Sequence, residues 1–512
     1  MTRPNIIFIM SDDHASAAIS AYGSGLNHTP HIDRLGTEGM RMEHCYVTNS
    51  ICTPSRAAIL TGTYNHVNLV TTLDTHLDNR LPNVAKHLKQ GGYQTAIFGK
   101  WHLGEGAAHH PTGFDEWAVL PGQGDYFDPV FHTPAGEIVA PGYATDIITD
   151  MSIDFLSRRD KDRPFFLMCH HKAPHRPFVP HPRYNGLYTD DLPVPQTYDD
   201  DYANRAAAAA AAKMRVRVDM TYEDLGLVLP EGGAEVGAQE KPGSLQRKVP
   251  DDHQGLRLID RATGETYTFA SKRELDLFKY QRYVKRYLRT IAGIDDNVGR
   301  LLDWLDAEGL TDDTIVIYTS DQGFFLGEHG WFDKRFMYEE SLKMPFLIRY
   351  PQAIAPGSVS ERVATNVDFA ATFLDYAGLP VPSYMQGRSM RPVVEGAAGN
   401  WDDIAYHRYW MHKDEIHNAF AHYGVTDGRW KLIYWYNDPL DQIGANAGDE
   451  PPEWELFDCA NDPHELRNLA HDPGHAEVFA RMLARLDAQM AAIGDTPCHD
   501  SPAVLAGLGI AA

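Results

Sequence analysis

Four short stretches of the chain share one pattern: a continuous apolar, β-prone run that stops abruptly in polar residues. They are Asn5–His14 (N-I-I-F-I-M-S-D-D-H), Gln94–His102 (Q-T-A-I-F-G-K-W-H), Pro164–His175 (P-F-F-L-M-C-H-H-K-A-P-H) and Thr314–Gly323 (T-I-V-I-Y-T-S-D-Q-G). Unbroken apolar runs, rather than alternating ones, predict strands buried on both faces of a parallel sheet. Helical patterns lie between them. Leu81–Gln90 is one, stopped by Gly91-Gly92. A longer one covers Glu274–Asp306, where Leu277, Tyr280, Val284, Tyr287, Ile291, Ile294, Val298, Leu301 and Leu305 recur at helical spacing. The fold expected is α/β, with a mostly parallel central sheet flanked by helices.

The pattern lapses between Tyr198 and Arg273. The alanine run Ala206–Ala212 reads as a bland helix, and Leu256–Phe269 as a hairpin turning near Thr263-Gly264. Residues 199–273 are therefore expected to be an inserted segment, a candidate lid or assembly element, within a catalytic domain of residues 1–395. From residue 396 the texture changes. Two antiparallel strands are predicted around Asp427-Gly428, and a helix near Ala476–Ile493, giving a smaller α+β C-terminal domain over 396–512.

Composition narrows the functional classes. The 512 residues include 46 basic and 70 acidic side chains, a net charge of −24. That field argues against binding nucleic acid or an anionic membrane surface, though not against a locally positive pocket. Five scattered cysteines (45, 52, 169, 459 and 498) do not form a disulfide framework and suit a reducing compartment. The first apolar run is too short for a signal peptide, so a cytoplasmic location is expected.

Ligands in open α/β sheets bind outside the carboxyl ends of the strands, and the four runs end in candidate chemistry. Asp12 and Asp13 close the first, Asp321 and Gln322 the last. One such pair alone is more commonly a solvated turn. Two pairs offer four oxygen donors with no sulfur or nitrogen, which suits Ca2+ or Mg2+ rather than Zn2+. Lys100 and His102 could hold an anion and move a proton. His175 lies in a histidine-rich segment with no matching zinc ligands at spacing, so an acid or anion-binding role is favoured; Lys334, in W-F-D-K-R-F, carries the least specific signal. Cys52 heads C-T-P-S-R-A-A-I-L-T-G, where Pro54 marks a helix start and partial positive charge favours a thiolate or an anionic ligand.

That segment, with S-D-D-H, G-K-W-H-L-G, the H-x-P at His175, S-D-Q-G and the terminal E-L-F-D, resembles the type I sulfatases of the alkaline phosphatase superfamily, in order over most of the chain. The resemblance implies an alkaline phosphatase-like fold and a hydrolase acting on small-molecule or carbohydrate sulfate esters. It implies that Cys52 is oxidised by a formylglycine-generating enzyme to Cα-formylglycine, whose hydrated gem-diol supplies the nucleophilic oxygen. Asp12, Asp13, Asp321 and Gln322 would hold Ca2+, with Mg2+ or Mn2+ as alternatives. Arg56 and Lys100 would steady the formylglycine hydroxyls, His102 would take a proton from one of them, and His175 and Lys334 would grip sulfate oxygens, His175 assisting the leaving oxygen. Many sulfatases have Asn where this chain has Gln322, and relatives cleaving phosphonate monoesters and phosphodiesters have His, so that hydrolase class is the alternative activity. Dimers or tetramers would be in keeping with the family.

Overall fold

The computed structural model of the chain describes residues 3–230 and 247–510. Four predicted strands form the middle of an eleven-stranded sheet: β1 (Asn5–Asp12), β2 (Gln94–Lys100), β3 (Phe165–Pro174) and β4 (Thr314–Ser320), side by side in the order β4-β1-β3-β2. All three pairings are parallel. Parallel alignment puts all four carboxyl ends on one edge, so the polar residues that close each apolar run arrive together. β2, β3 and β4 are buried along their whole length, and β1 from its second residue. That is why their apolar runs do not alternate.

Beyond β2 the parallel arrangement continues to Glu116–Leu120. Further out on that side Val130–Thr133 and Gly136–Val139 pair antiparallel, and on the other side Phe346–Arg349 lies antiparallel to β4. The sheet is thus mixed: the site-bearing centre is parallel, and a second parallel pair, Met40–Tyr46 with Ser358–Thr365, lies beyond Phe346–Arg349. The flanking strands named here are four or five residues long, too short for their apolar residues to give a strand signal by periodicity.

Two helices matter most. α1 (Cys52–Thr61) is buried at all ten positions and ends at Gly62, whose φ of 68° favours glycine. α2 (Lys272–Ala307) extends the predicted long helix by two residues at its start and one at its end; Ser271 caps it by accepting from the Glu274 N–H. Its apolar stripe, including Tyr280, Val284, Tyr287, Ile291 and Ile294, packs in one core with Ile7 and Ile9 of β1 and Val316 and Tyr318 of β4. The helix predicted from Leu81 begins at Val84, because Asn83 caps it with its side chain on the Lys86 N–H.

The inserted segment carries the short helix Ala207–Ala211 and a hairpin of Leu258–Ile259 with Thr266–Tyr267; its residues 231–246 lie outside the described residues. At the C-terminal end, Ala405–Tyr409, His422–Thr426, Trp430–Trp435 and Glu453–Asp458 form a four-stranded antiparallel sheet, covered by the helix Ala476–Ile493. Among the described residues no helix is long and apolar enough to cross a membrane.

Candidate active site

The carboxyl ends of β1 and β4 meet the start of α1. Asp13 leaves β1 with a left-handed φ of 69°, a costly conformation for a residue other than glycine. It is held there by its own N–H, which donates to Asp321 Oδ1 at 3.1 Å, and by its carbonyl, which accepts from Tyr287 of α2 at 2.6 Å. Ser55 on the first turn of α1 donates to the Asp321 carbonyl and accepts from Asn366 Nδ2 at 2.9 Å. Helix start and strand ends are therefore one hydrogen-bonded unit.

Cys52 Sγ lies 3.4 Å from Asp12 Oδ1 and 3.9 Å from Gln322 Nε2. Arg56, one turn along α1, reaches Asp321 Oδ2 with Nε at 3.0 Å and Nη2 at 2.9 Å, and donates from Nη1 to the Lys100 carbonyl at 2.9 Å. The Lys100 ammonium sits on Asp12 and on the Gln123 amide oxygen. Lys334 Nζ lies 2.5 and 2.6 Å from the two Asp13 oxygens, and His175 Nε2 is 3.7 Å from Asp13 Oδ2. His102 Nδ1 is 3.4 Å from Thr53 Oγ1, next to Cys52. All ten residues singled out in the sequence thus lie in one cluster.

The electrostatics are those of crowded buried charges. Burial pushes Asp13 up to about 7, Lys334 opposing and the neighbouring Asp12 and Asp321 adding. Burial and the charge on Asp12 raise Asp321 to about 6. For Asp12 burial acts upward, but the charges on Lys100 and Arg56 outweigh it and hold the carboxyl well below its usual range. Burial, then Lys100, drive His102 and His175 well below the usual imidazole value, so both are neutral. The Cys52 thiol is raised by burial and by Asp12. The helix start therefore does not yield a thiolate: the fully buried setting and the adjacent carboxylate outweigh the partial charge of the helix end.

Asp12, Asp13 and Asp321 present carboxylate oxygens within 4.8 Å of one another, all buried. Gln322 Oε1 is buried without a partner, while the amide nitrogen faces Asp13. Exchanging the amide oxygen and nitrogen is a half-turn of the side-chain end. An oxygen-only set of three carboxylates with a spare amide oxygen fits a hard divalent cation.

The structure adds residues that the sequence reading passed over. Asp333 and Arg335, on either side of Lys334, pair with each other; Asp333 also lies 3.2 Å from His417 Nε2, and Arg176 is clamped by Asp224 of the inserted segment. Adjacency to Lys334, and to His175 for Arg176, was the available signal; His417 and Asp224 are far away along the chain.

Residues 4–379 match the family model for sulfatases. The chain belongs to the sulfatase family. Residues 327–492 match a second model, that of the N-sulphoglucosamine sulphohydrolase C-terminal region. The N-acetylglucosamine-6-O-sulfatase of Bacteroides thetaiotaomicron is 42% identical over 500 residues, covering 95% of this sulfatase and 86% of its own length. A solved structure in complex with its substrate D-glucosamine-2-N,6-O-disulfate is 40% identical, with a TM-score of 0.85 over 96% of this chain and 98% of that one. The phosphonate monoester hydrolase of Agrobacterium radiobacter shares the fold at 22% identity over 96% of each chain, with a TM-score of 0.69. The sulfatase is accordingly a sulfuric ester hydrolase of alkaline phosphatase-like α/β fold, and its family implies a metal ion and a formylglycine.

Proposed function

We propose that this sulfatase removes the 6-O-sulfate of a glucosamine-type sugar, with Cys52 oxidised to formylglycine and Ca2+ held by Asp12, Asp13, Asp321 and Gln322. The observation that carries this reading is the agreement between the 42% identical relative named for 6-O-desulfation of N-acetylglucosamine and the glucosamine disulfate-bound neighbour. When present, the two groups supply an oxygen nucleophile and a Lewis acid for sulfuryl transfer.

The chain's own residues do the positioning and move the protons. Arg56, Lys100 and Lys334 are fixed cations arrayed where a sulfuryl group accumulates charge. His102, kept neutral beside the start of α1, is ready to take a proton from a hydroxyl at position 52. The Arg176 carbonyl lies 2.7 Å from His175 Nδ1 and fixes a proton there, so Nε2 is the atom that faces the leaving oxygen, and it must first take up a proton from solvent before it can give one there. Asp333 and Arg335 beside Lys334 provide acceptor and donor groups for the sugar hydroxyls. Cys52 is 1% exposed on a fully buried helix, so the modifying enzyme acts before α1 is packed.

Sulfate release from N-acetylglucosamine 6-sulfate and from its 3-sulfated isomer, and phenol release from an aryl phosphonate monoester, test the reading. A kcat/KM for the 6-sulfate about 100-fold or more above both others is expected. Equal rates on the two sulfate isomers would reject the regiochemistry. A phosphonate rate above both would assign the chain to the alternative hydrolase class.

A further inference from the structure

His170 on β3 is a buried ionisable side chain that the chemistry above leaves without a task. Its ring stands edge-on to Phe8, with centroids 5.9 Å apart. Nδ1 lies 3.2 Å from the Lys100 carbonyl oxygen, the same oxygen that accepts from Arg56 Nη1. A carbonyl oxygen cannot donate, so Nδ1 carries the proton and Nε2 keeps a bare lone pair. Nε2 is buried without a hydrogen-bond partner, and the ring borders a cavity of about 10 Å³ lined by Arg56 and otherwise by apolar side chains and Trp101. Burial, then the charge on Arg56, hold the imidazole well below its usual value, so the ring stays neutral in this one tautomer.

A second observation shows how closely the two strand ends are drawn together. Gly99 is paired with His170 across β2 and β3 and has a φ of 102°; a Cβ added there would lie 1.9 Å from the His170 carbonyl oxygen. Only glycine allows this approach. The end of β2 that carries Lys100 is thus pressed against His170, and one carbonyl joins three side chains' worth of site geometry: its own Lys100, Arg56 and His170. A neutral donor suits the position, because a lysine or arginine would add a third buried cation beside Arg56 and Lys100.

We propose that His170 is a positioning residue for sulfuryl transfer: its Nδ1–H fixes the Lys100 carbonyl and thereby aims the Lys100 ammonium and the Arg56 guanidinium. The test compares His170→Leu, which removes the donor, with His170→Asn, which keeps an N–H near the Nδ1 position. Both are assayed by sulfate release after metal loading, with the oxidised fraction of Cys52 equalised by peptide mass. His170→Leu should lower kcat about 10- to 100-fold with KM within about threefold of the parent. His170→Asn should recover to within about fivefold of the parent kcat. In a Lys100→Ala background, His170→Leu should cost clearly less than in the parent, since the part of the effect that passes through the Lys100 side chain is gone and only the part through Arg56 remains.

The proposal fails if His170→Leu keeps the parent kcat, if the Asn and Leu variants fall together, or if the loss persists in full without the Lys100 side chain. Should the Leu variant not fold, His170→Gln takes its place. It retains a neutral amide of similar reach but sets its N–H at the Nε2 position, and it must lose activity that Asn retains.

Discussion

Asp13 and Asp321 are the residues at which the proposed cation binding becomes measurable. Both are raised in the ion-free protein, to about 7 and about 6, above an unfolded carboxylate near 4. Between those limits the folded chain binds more protons than the unfolded chain, so their contribution to stability falls as pH rises from about 4 to about 7. A divalent cation removes the penalty by replacing those protons, and its affinity should rise over the same window. Thermal melts with excess Ca2+ and with chelator should therefore separate more widely at pH 7.5 than at pH 5. At 100-fold excess over Kd the stabilisation should be about 2.7 kcal/mol. A gap that is constant with pH would mean that these two carboxylates do not carry the ion. That these side chains come together was legible in the sequence because each pair terminates an apolar run. The protonation state of Cys52 was not: a helix start reads as favourable to a thiolate until the three-dimensional neighbourhood puts Asp12 3.4 Å away.

At the scale of elements, α2 does more than cover the sheet. Tyr287 in its middle donates to the Asp13 carbonyl and accepts from the Ala15 N–H at 2.8 Å, pinning the left-handed turn after β1. Tyr287→Phe should lower stability by about 1–2 kcal/mol, because a buried N–H and carbonyl lose their partner. It should also weaken Ca2+ binding in a calorimetric titration. Unchanged cation affinity would show that the turn holds its shape without α2. The helix itself was evident from its apolar spacing, as were the four central strands from their unbroken runs. Tyr287 read only as one more apolar position in that stripe, since periodicity reports which face is buried and not which hydroxyl points at a backbone. The flanking antiparallel strands were hidden for a related reason: Gly136–Val139 is exposed at every position and has no burial pattern to leave in the sequence.

At the scale of the whole molecule, the C-terminal sheet is tied to the segment that bears Lys334. Lys431, buried in the middle of that sheet, lies 2.8 Å from Glu339 and 2.7 Å from Glu465. Tyr338 and Trp435 both donate to Glu455 of the same sheet. Lys431→Met should cost about 3–5 kcal/mol, because it strands the fully buried carboxylate of Glu465 and the partly buried one of Glu339. A loss below about 1 kcal/mol in denaturant unfolding would show that the two units do not depend on this ion pair. Nothing in the local pattern of W-K-L-I-Y-W foretold it, since the partners of Lys431 lie dozens of residues away along the chain. The central claim is that the assembled site becomes a sulfatase through oxidation at Cys52. The direct measurement is the mass of the tryptic peptide Met42–Arg56, which also carries buried Cys45 as an internal control, taken alongside sulfate release from the same samples with and without a co-expressed formylglycine-generating enzyme. The account predicts loss of one sulfur and two hydrogens with gain of one oxygen at position 52 alone, and activity proportional to the converted fraction. Full activity with an intact thiol at Cys52 would contradict it.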